Sequence, residues 1–293
     1  MQEPLLARKF LERLERLTIH WQKSFSGLVG GHNLSRFAGG GQEFLDHRHF
    51  HQGDDLRAVN WRAYLRLDKL FLKMFQIEPR VPVHMLLDCS ASMAAGDAAK
   101  FTYARKLTAA LCYVGLVRLD SMAIHPFSSH IREGKRCGGG RHRFTPVMNY
   151  LTSLAPGGVT DFKAAIREFL STDQQPGLII LISDFLDDQD CLRPLQYLAD
   201  FGHELLLIQL WADDERTPPW TGELDLTDSE TGAVLQMDVD RHARAEYTRR
   251  FDAYSAQLQQ QALRNGGRYL GVPISMPIED LIFDSLVRAR GVA

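Results

Sequence analysis

Three short runs of apolar residues constrain this chain more than any other feature: VHMLLD at 83–88, LIILIS at 178–183 and ELLLIQL at 204–210. Each has strand length, and none alternates with polar residues as a half-wet strand would, so each is expected to be buried on both faces. Residues 122–127 read as a further strand. Helical patterns separate these runs. Residues 97–118 put Phe101, Ala104, Thr108, Leu111, Cys112 and Gly115 on one face, and 143–154, 161–171 and 191–201 also read as helices. Buried strands alternating with helices predict an α/β fold with a doubly wound, mostly parallel sheet. A chain of 293 residues can build such a core without a disulfide or a structural metal.

The flanks are different. Leu6, Phe10, Leu14, Leu17 and Trp21 recur at helical spacing, which predicts an amphipathic helix over 4–23. A Gly-rich stretch (27–41) and a dense polar segment follow. Residues 222–240 read as a hairpin turning at Glu230-Thr231-Gly232, and 241–264 as a long helix with Tyr247, Phe251, Tyr254 and Leu258 on one stripe. Asn265-Gly266-Gly267 stops that helix. A last strand (268–272) and a closing helix (278–290) complete the chain. The expected division is 1–80, a helix plus polar segment, and 81–293, an α/β domain carrying the hairpin.

Lys and Arg total 34 against 36 Asp and Glu, a balance without the basic footprint of a nucleic-acid binder. The four cysteines include no CxxC pair, which argues against thiolate zinc. No apolar run approaches the roughly 18 residues of a membrane span, and the charged amino terminus is unlike a signal peptide. A reduced, cytoplasmic protein is expected.

The first core strand ends in Asp88-Cys89-Ser90-Ala91-Ser92, a D-x-S-x-S turn. Ligands of open α/β sheets sit beyond the carboxyl ends of the strands. Gly157-Gly158-Val159-Thr160-Asp161 precedes a helix, and Ser183-Asp184 ends a strand, so both should reach the same edge. Asp88, Ser90, Ser92, Thr160 and Asp184 offer hard oxygen donors, which suit Mg²⁺ or Mn²⁺ rather than zinc or copper. Neutral hydroxyls leave much of the ion's charge uncompensated, so an outside carboxylate would be welcome at its open position. The enzymatic alternative is a Mg²⁺-dependent phosphotransferase with Asp88 as nucleophile. Such sites need an acid–base carboxylate two residues on, where this chain has Ser90.

These residues resemble the metal-ion-dependent adhesion site of von Willebrand factor A domains. The resemblance implies Ser90, Ser92 and Thr160 as direct ligands, with Asp88 and Asp184 supporting them through water. The polar segment adds Glu43-Phe44, Arg48, Phe50, Gly53-Asp54-Asp55, Arg57, Trp61-Arg62 and Arg66. With the core, it resembles bacterial domain-of-unknown-function family 58 over roughly residues 30–275. Members carry a von Willebrand A core and are commonly encoded beside MoxR-type AAA+ ATPases. The resemblance implies a non-catalytic protein-binding module, an adaptor for such an ATPase or its client. Asn60 and Leu65 stand where the family more often has Asp and Ala, and this chain lacks the transmembrane helices that many members carry.

Arg48, Asp54, Asp55, Arg57, Trp61, Arg62 and Arg66 read either as a docking surface or as an internal network of buried Arg–Asp pairs. His47, His49 and His51 would share one face of a strand, although a rigid strand spaces same-face residues too widely for one metal. Cys137-Gly138-Gly139-Gly140-Arg141 lacks the Lys-Ser/Thr of a phosphate loop and reads as a flexible connection.

Overall fold

The computed structural model describes residues 5–20, 43–51, 56, 59–76, 82–94, 99–173, 175–186 and 191–292. The chain forms two compact units, Ser24–Arg80 and a larger one made of Met1–Lys23 with Val81–Ala293. The amino-terminal helix α1 (Arg8–Leu14) thus goes with the core. It is shorter than its periodicity predicts. Arg118 donates to the carbonyls of Arg16 and Leu17, and Ile19 pairs with Val292. Those carbonyls and the buried Ile19 gain tertiary partners that a longer helix would forfeit. Trp21 lies outside the described residues.

In the smaller unit, β1 (Glu43–His49) pairs antiparallel with β2 (Phe71–Gln76), and α2 (Trp61–Leu67) lies between them in sequence. The polar composition of this segment hid all three elements. The Asn60 side chain accepts from the Ala63 N–H at 3.3 Å and caps α2, a task Asn and Asp perform equally well. The departure at position 60 therefore leaves the cap intact.

The larger unit carries β3 (Pro82–Asp88), α3 (Ala99–Val117), β4 (Ser121–Phe127), β5 (Lys135–Cys137), α4 (Phe144–Ser153), α5 (Phe162–Thr172), β6 (Leu178–Ser183), α6 (Leu192–Asp200) and β7 (Glu204–Trp211). A short α7 (Asp213–Arg216), the hairpin β8 (Gly222–Thr227) and β9 (Val234–Val239), α8 (Arg241–Arg264) and β10 (Arg268–Pro273) follow. The sheet order is β10-β7-β6-β3-β4-β5, parallel throughout except for the edge strand β5, which the sequence did not announce. The predicted α/β class with a doubly wound, mostly parallel sheet is the class observed.

Burial explains the strands. Every residue of β6 is buried, because helices cover both faces. Leu86, Ile179, Leu181, Leu205 and Leu207 meet Phe162, Ile166 and Phe169 of α5, Leu195 of α6 and Leu258 of α8. On the other face, α3 crosses β3, β4 and β7, with α1 and α4 against it. A Cβ at Gly115 would collide with Met122, so glycine there sets how closely α3 approaches β4. The closing helix exists but breaks into a π turn over Leu281–Ser285. His84 and His125 lie inside the sheet–helix interface, where burial pushes their pKa values down to about 3 and about 4. No helix among the described residues is long and apolar enough to cross a membrane.

Candidate metal centre

After β4 the chain returns to the far side of β3, so strand order reverses between β3 and β6. The carboxyl ends of these two strands are the topological switch point, the position open α/β sheets use for ligands. Asp88 ends β3, Ser183 ends β6, and Asp184 follows.

Asp88 is fully buried and both its oxygens are engaged. Oδ1 accepts from the Ser90 N–H at 2.9 Å, and Oδ2 accepts from Ser183 Oγ at 2.5 Å. Ser90 Oγ and Ser92 Oγ lie 2.9 Å apart, both buried. The Gly-Gly loop runs alongside: Ala91 N–H donates to Gly158 O at 2.9 Å and Gly157 N–H to Cys89 O at 2.7 Å. Gly158, at φ 91°, takes a backbone conformation that side-chain-bearing residues avoid. Arg132 binds the two loops together, donating to the carbonyls of Cys89, Ala155 and Gly157.

The Thr160 hydroxyl is already spoken for. Its Oγ1 donates to Glu230 Oε1 at 2.7 Å, and its N–H donates to Glu230 Oε2 at 2.8 Å. Glu230 sits at the tip of the β8–β9 hairpin, so a carboxylate of this chain reaches back to the predicted site. Asp184 has a different partner. Lys100, at 1% exposure, donates to Asp184 Oδ2 at 2.8 Å and to Glu215 Oε1 at 2.5 Å. Burial alone would lower the Lys100 pKa, but Asp184 and Glu215 outweigh it and raise the value.

Phe185, next in the chain, has φ 58° despite its bulky side chain. A stacked contact with Phe162 at 5.6 Å holds it, and Tyr254 Oη donates to its carbonyl at 2.6 Å. Strain of this kind persists where surroundings over-determine it, and it gathers at functional sites.

Electrostatics suit a cation. Burial, then the Asp184 carboxylate, push Asp88 up to about 7, against smaller lowering by Ser183 and Ser90. Asp88 therefore has only neutral hydrogen-bond partners and a like-charged neighbour. Hard hydroxyl donors beside such carboxylates fit Mg²⁺ or Mn²⁺. The Cys89 thiol, pushed up to about 12 by burial, contributes no thiolate.

Of the predicted site residues, Asp88, Ser90 and Ser92 form one hydrogen-bonded group with Ser183, Asp184 is the charged neighbour of Asp88, and Thr160 follows the Gly157–Gly158 turn that bonds Cys89 and Ala91 but itself bonds Glu230. Sequence reasoning missed Lys100, Arg132, Glu215 and Glu230, whose partners at the site lie 23 to 115 residues away. The second predicted cluster has another character. Trp61 is 53% exposed and its ring meets Tyr64 edge-on, while Arg62 and Arg66 are exposed. Trp61 is therefore not packed among buried Arg–Asp pairs, because α2 turns it outward. Arg48 Nη1 pairs with His51 Nδ1 at 2.9 Å. Asp54, Asp55 and Arg57 lie outside the described residues. His49 packs on Phe71 at 4.6 Å, and His51 lies beyond the end of β1, so the strand does not carry all three histidines. The side chain of His47 is not among those described.

Several proteins similar in sequence are described as uncharacterised. Proteins of Mycobacterium tuberculosis H37Rv and Mycobacterium bovis are each 26% identical over 257 residues, spanning 85% of this chain and 80% of theirs. A Mycobacterium avium protein is 30% identical over 122 residues, 41% of this chain and 72% of its own. Among solved structures, the conserved hypothetical protein BatB from Bacteroides thetaiotaomicron is 16% identical, with 71% of this chain and 98% of that chain aligned at a TM-score of 0.41. Manganese-loaded TRAP protein of Plasmodium vivax is 15% identical, with 67% and 69% aligned at 0.37. The fold class stands on the strand order above, independently of these low scores. The family model described as "Protein of unknown function DUF58" matches residues 46–257, and the chain belongs to that family.

Proposed function

We propose that the chain is a non-catalytic binding module whose Mg²⁺ site captures an acidic side chain of a partner protein, with a MoxR-type AAA+ ATPase or its client as that partner. The observation that carries this reading is Glu230. Bonded to the N–H and hydroxyl of Thr160, it puts an acidic side chain beside a residue that would hold the ion, which supports access of a carboxylate to that position. Ser90, Ser92 and Thr160 would hold the ion directly, and Asp88 and Asp184 would hold its waters. When bound, the ion supplies a positive centre with an exchangeable place for an outside carboxylate. Arg132 keeps the two loops in register, and Asp88 fixes the Ser90 turn through its N–H.

The nucleophile alternative gains a nearby cation in Lys100 but requires a free carboxylate oxygen. Asp88 has no exposed surface, and both its oxygens accept hydrogen bonds. A hydrolase would turn over a generic phosphoester in Mg²⁺, and no turnover is expected.

The direct test is binding of the purified MoxR-type ATPase of the same organism, measured by interferometry in Mg²⁺ and in EDTA. Binding is expected in Mg²⁺ only, and Ser90→Ala with Ser92→Ala should lower affinity at least tenfold while leaving the thermal transition in EDTA in place. Equal binding with and without the cation would sink the proposal.

The hairpin contact makes a second prediction. If Glu230 occupies the seat of the partner's acid, Glu230→Gln weakens the internal competitor and strengthens Mg²⁺-dependent capture several-fold. Charge-assisted hydrogen bonds contribute about 1.5–3 kcal/mol each, so even partial relief is measurable. Weaker capture by Glu230→Gln would instead make Glu230 part of the binding surface.

A further inference from the structure

A second group of ligating atoms lies on the face of the sheet that α5 covers, back from the loops at the carboxyl ends of the strands. His84 stands four residues before Asp88, about 13 Å along the strand at roughly 3.3 Å per residue. His125 is on the neighbouring β4, and Asp173 follows the last residue of α5. His84 Nδ1 and His125 Nε2 are 3.2 Å apart, His125 Nε2 and Asp173 Oδ2 3.6 Å, and His84 Nδ1 and Asp173 Oδ2 4.0 Å. All three residues are more than nine-tenths buried. The Phe169 ring packs edge-on to both imidazoles, at 5.2 and 5.1 Å.

Hydrogen bonding among these groups does not account for the arrangement. A proton shared between the two imidazoles satisfies the 3.2 Å contact and leaves Asp173 Oδ2 without a hydrogen-bond partner. The other carboxylate oxygen, Oδ1, is taken by Arg136 Nη2 at 2.6 Å, so the unsatisfied oxygen is the one turned toward the histidines. A buried acceptor left in this state costs roughly 1–3 kcal/mol. One cation between the three atoms satisfies all of them. A tetrahedral ion with ligand bonds of about 2.0–2.2 Å requires edges of about 3.3–3.6 Å, and the three measured edges bracket that range. Two imidazoles with one carboxylate select a borderline transition-metal dication and disfavour Mg²⁺ and Ca²⁺. Arg136 orients the carboxylate from behind, the part an outer-shell partner plays at such centres. His203, whose ring lies 6.0 Å from that of His84, accepts the Gly177 N–H through Nδ1 and is not one of the three ligating groups.

We infer that His84, His125 and Asp173 form a buried transition-metal site of the zinc class, separate from the oxygen site at the carboxyl edge. An ion there fastens β3 and β4 to the carboxyl end of α5, the helix whose amino end follows Thr160. Its role is structural, since the surrounding Phe169 and the sheet leave little room for a substrate.

The test uses the full chain stripped with a chelator and then held in excess Mg²⁺, so that the oxygen site is filled. Titration with Co²⁺ as a spectroscopic probe, then with Zn²⁺, should show one equivalent bound with visible absorption of a tetrahedral centre, and a rise of several degrees in the thermal midpoint. Asp173→Asn and His125→Gln should each weaken binding at least tenfold. Should His125→Gln fail to fold, Asp173→Asn decides alone, because it retains the Arg136 contact. No uptake by the wild-type chain would overturn the inference. So would uptake that both variants retain, since that ion would sit on surface histidines.

Discussion

Lys100→Met is expected to cost about 3–5 kcal/mol in urea unfolding, the usual loss when one member of a buried ion pair is removed. Methionine keeps the aliphatic stem in place, so the change isolates the ammonium. Asp184 is as buried as Lys100, and Glu215 is three-quarters covered. Without the cation, both carboxylates lose the countercharge they share. The loss should be greatest in EDTA and smaller in excess Mg²⁺, because an ion beside Asp184 replaces part of the missing charge. A Lys100→Met protein as stable as the wild type in EDTA would mean that Asp184 is not held as a buried anion, and the electrostatic description of the site would fall.

Asp88→Asn is expected to act in the other direction. The ordinary aspartate value is 3.8, and the native value is about 7, so the folded state binds this proton more tightly than the unfolded chain. Protonation of Asp88 therefore favours folding at low pH, and that contribution is lost as pH rises from 3.8 through 7. Above 7 the native state carries an ionised, uncompensated carboxylate. At about 1.36 kcal/mol per unit, the penalty is on the order of 4 kcal/mol as an upper figure. Asparagine removes the charge and can still accept the Ser90 N–H. In EDTA at pH 8 the variant should therefore be more stable than the wild type by roughly 1–4 kcal/mol, with the difference shrinking toward pH 5. In Mg²⁺ the advantage should disappear, since the wild-type carboxylate then has its countercharge. A variant destabilised equally at both pH values would assign Asp88 an ordinary structural role.

These two residues also mark what could be read from the sequence. Asp88, Ser90, Ser92, Ser183 and Asp184 were legible because apolar strands announce their own ends, and ligand loops of a doubly wound sheet follow those ends. Thr160 was legible through the Gly-Gly turn before its helix. Lys100 was not, since one lysine near the start of a helix gives no sign that it turns inward, and its partners lie 84 and 115 residues away. Glu230 was read as the turn of a hairpin, but the direction that hairpin takes depends on packing. The amino-terminal periodicity was real through Leu14, yet helix formation yielded beyond it to Arg118 and to pairing with Val292. The polar segment gave the least, because β1 and β2 lack the apolar runs that revealed the core strands.

The central claim is that hydroxyls and carboxylates from separate turns enclose one divalent cation. Calorimetric titration of the chelator-stripped chain with Mg²⁺ tests it most directly. The account predicts one equivalent bound by the wild type and none by the Ser90→Ala, Ser92→Ala protein, with the two chains unfolding alike in EDTA. Mg²⁺ uptake that is absent from the wild type, or unchanged in the double variant, would contradict it.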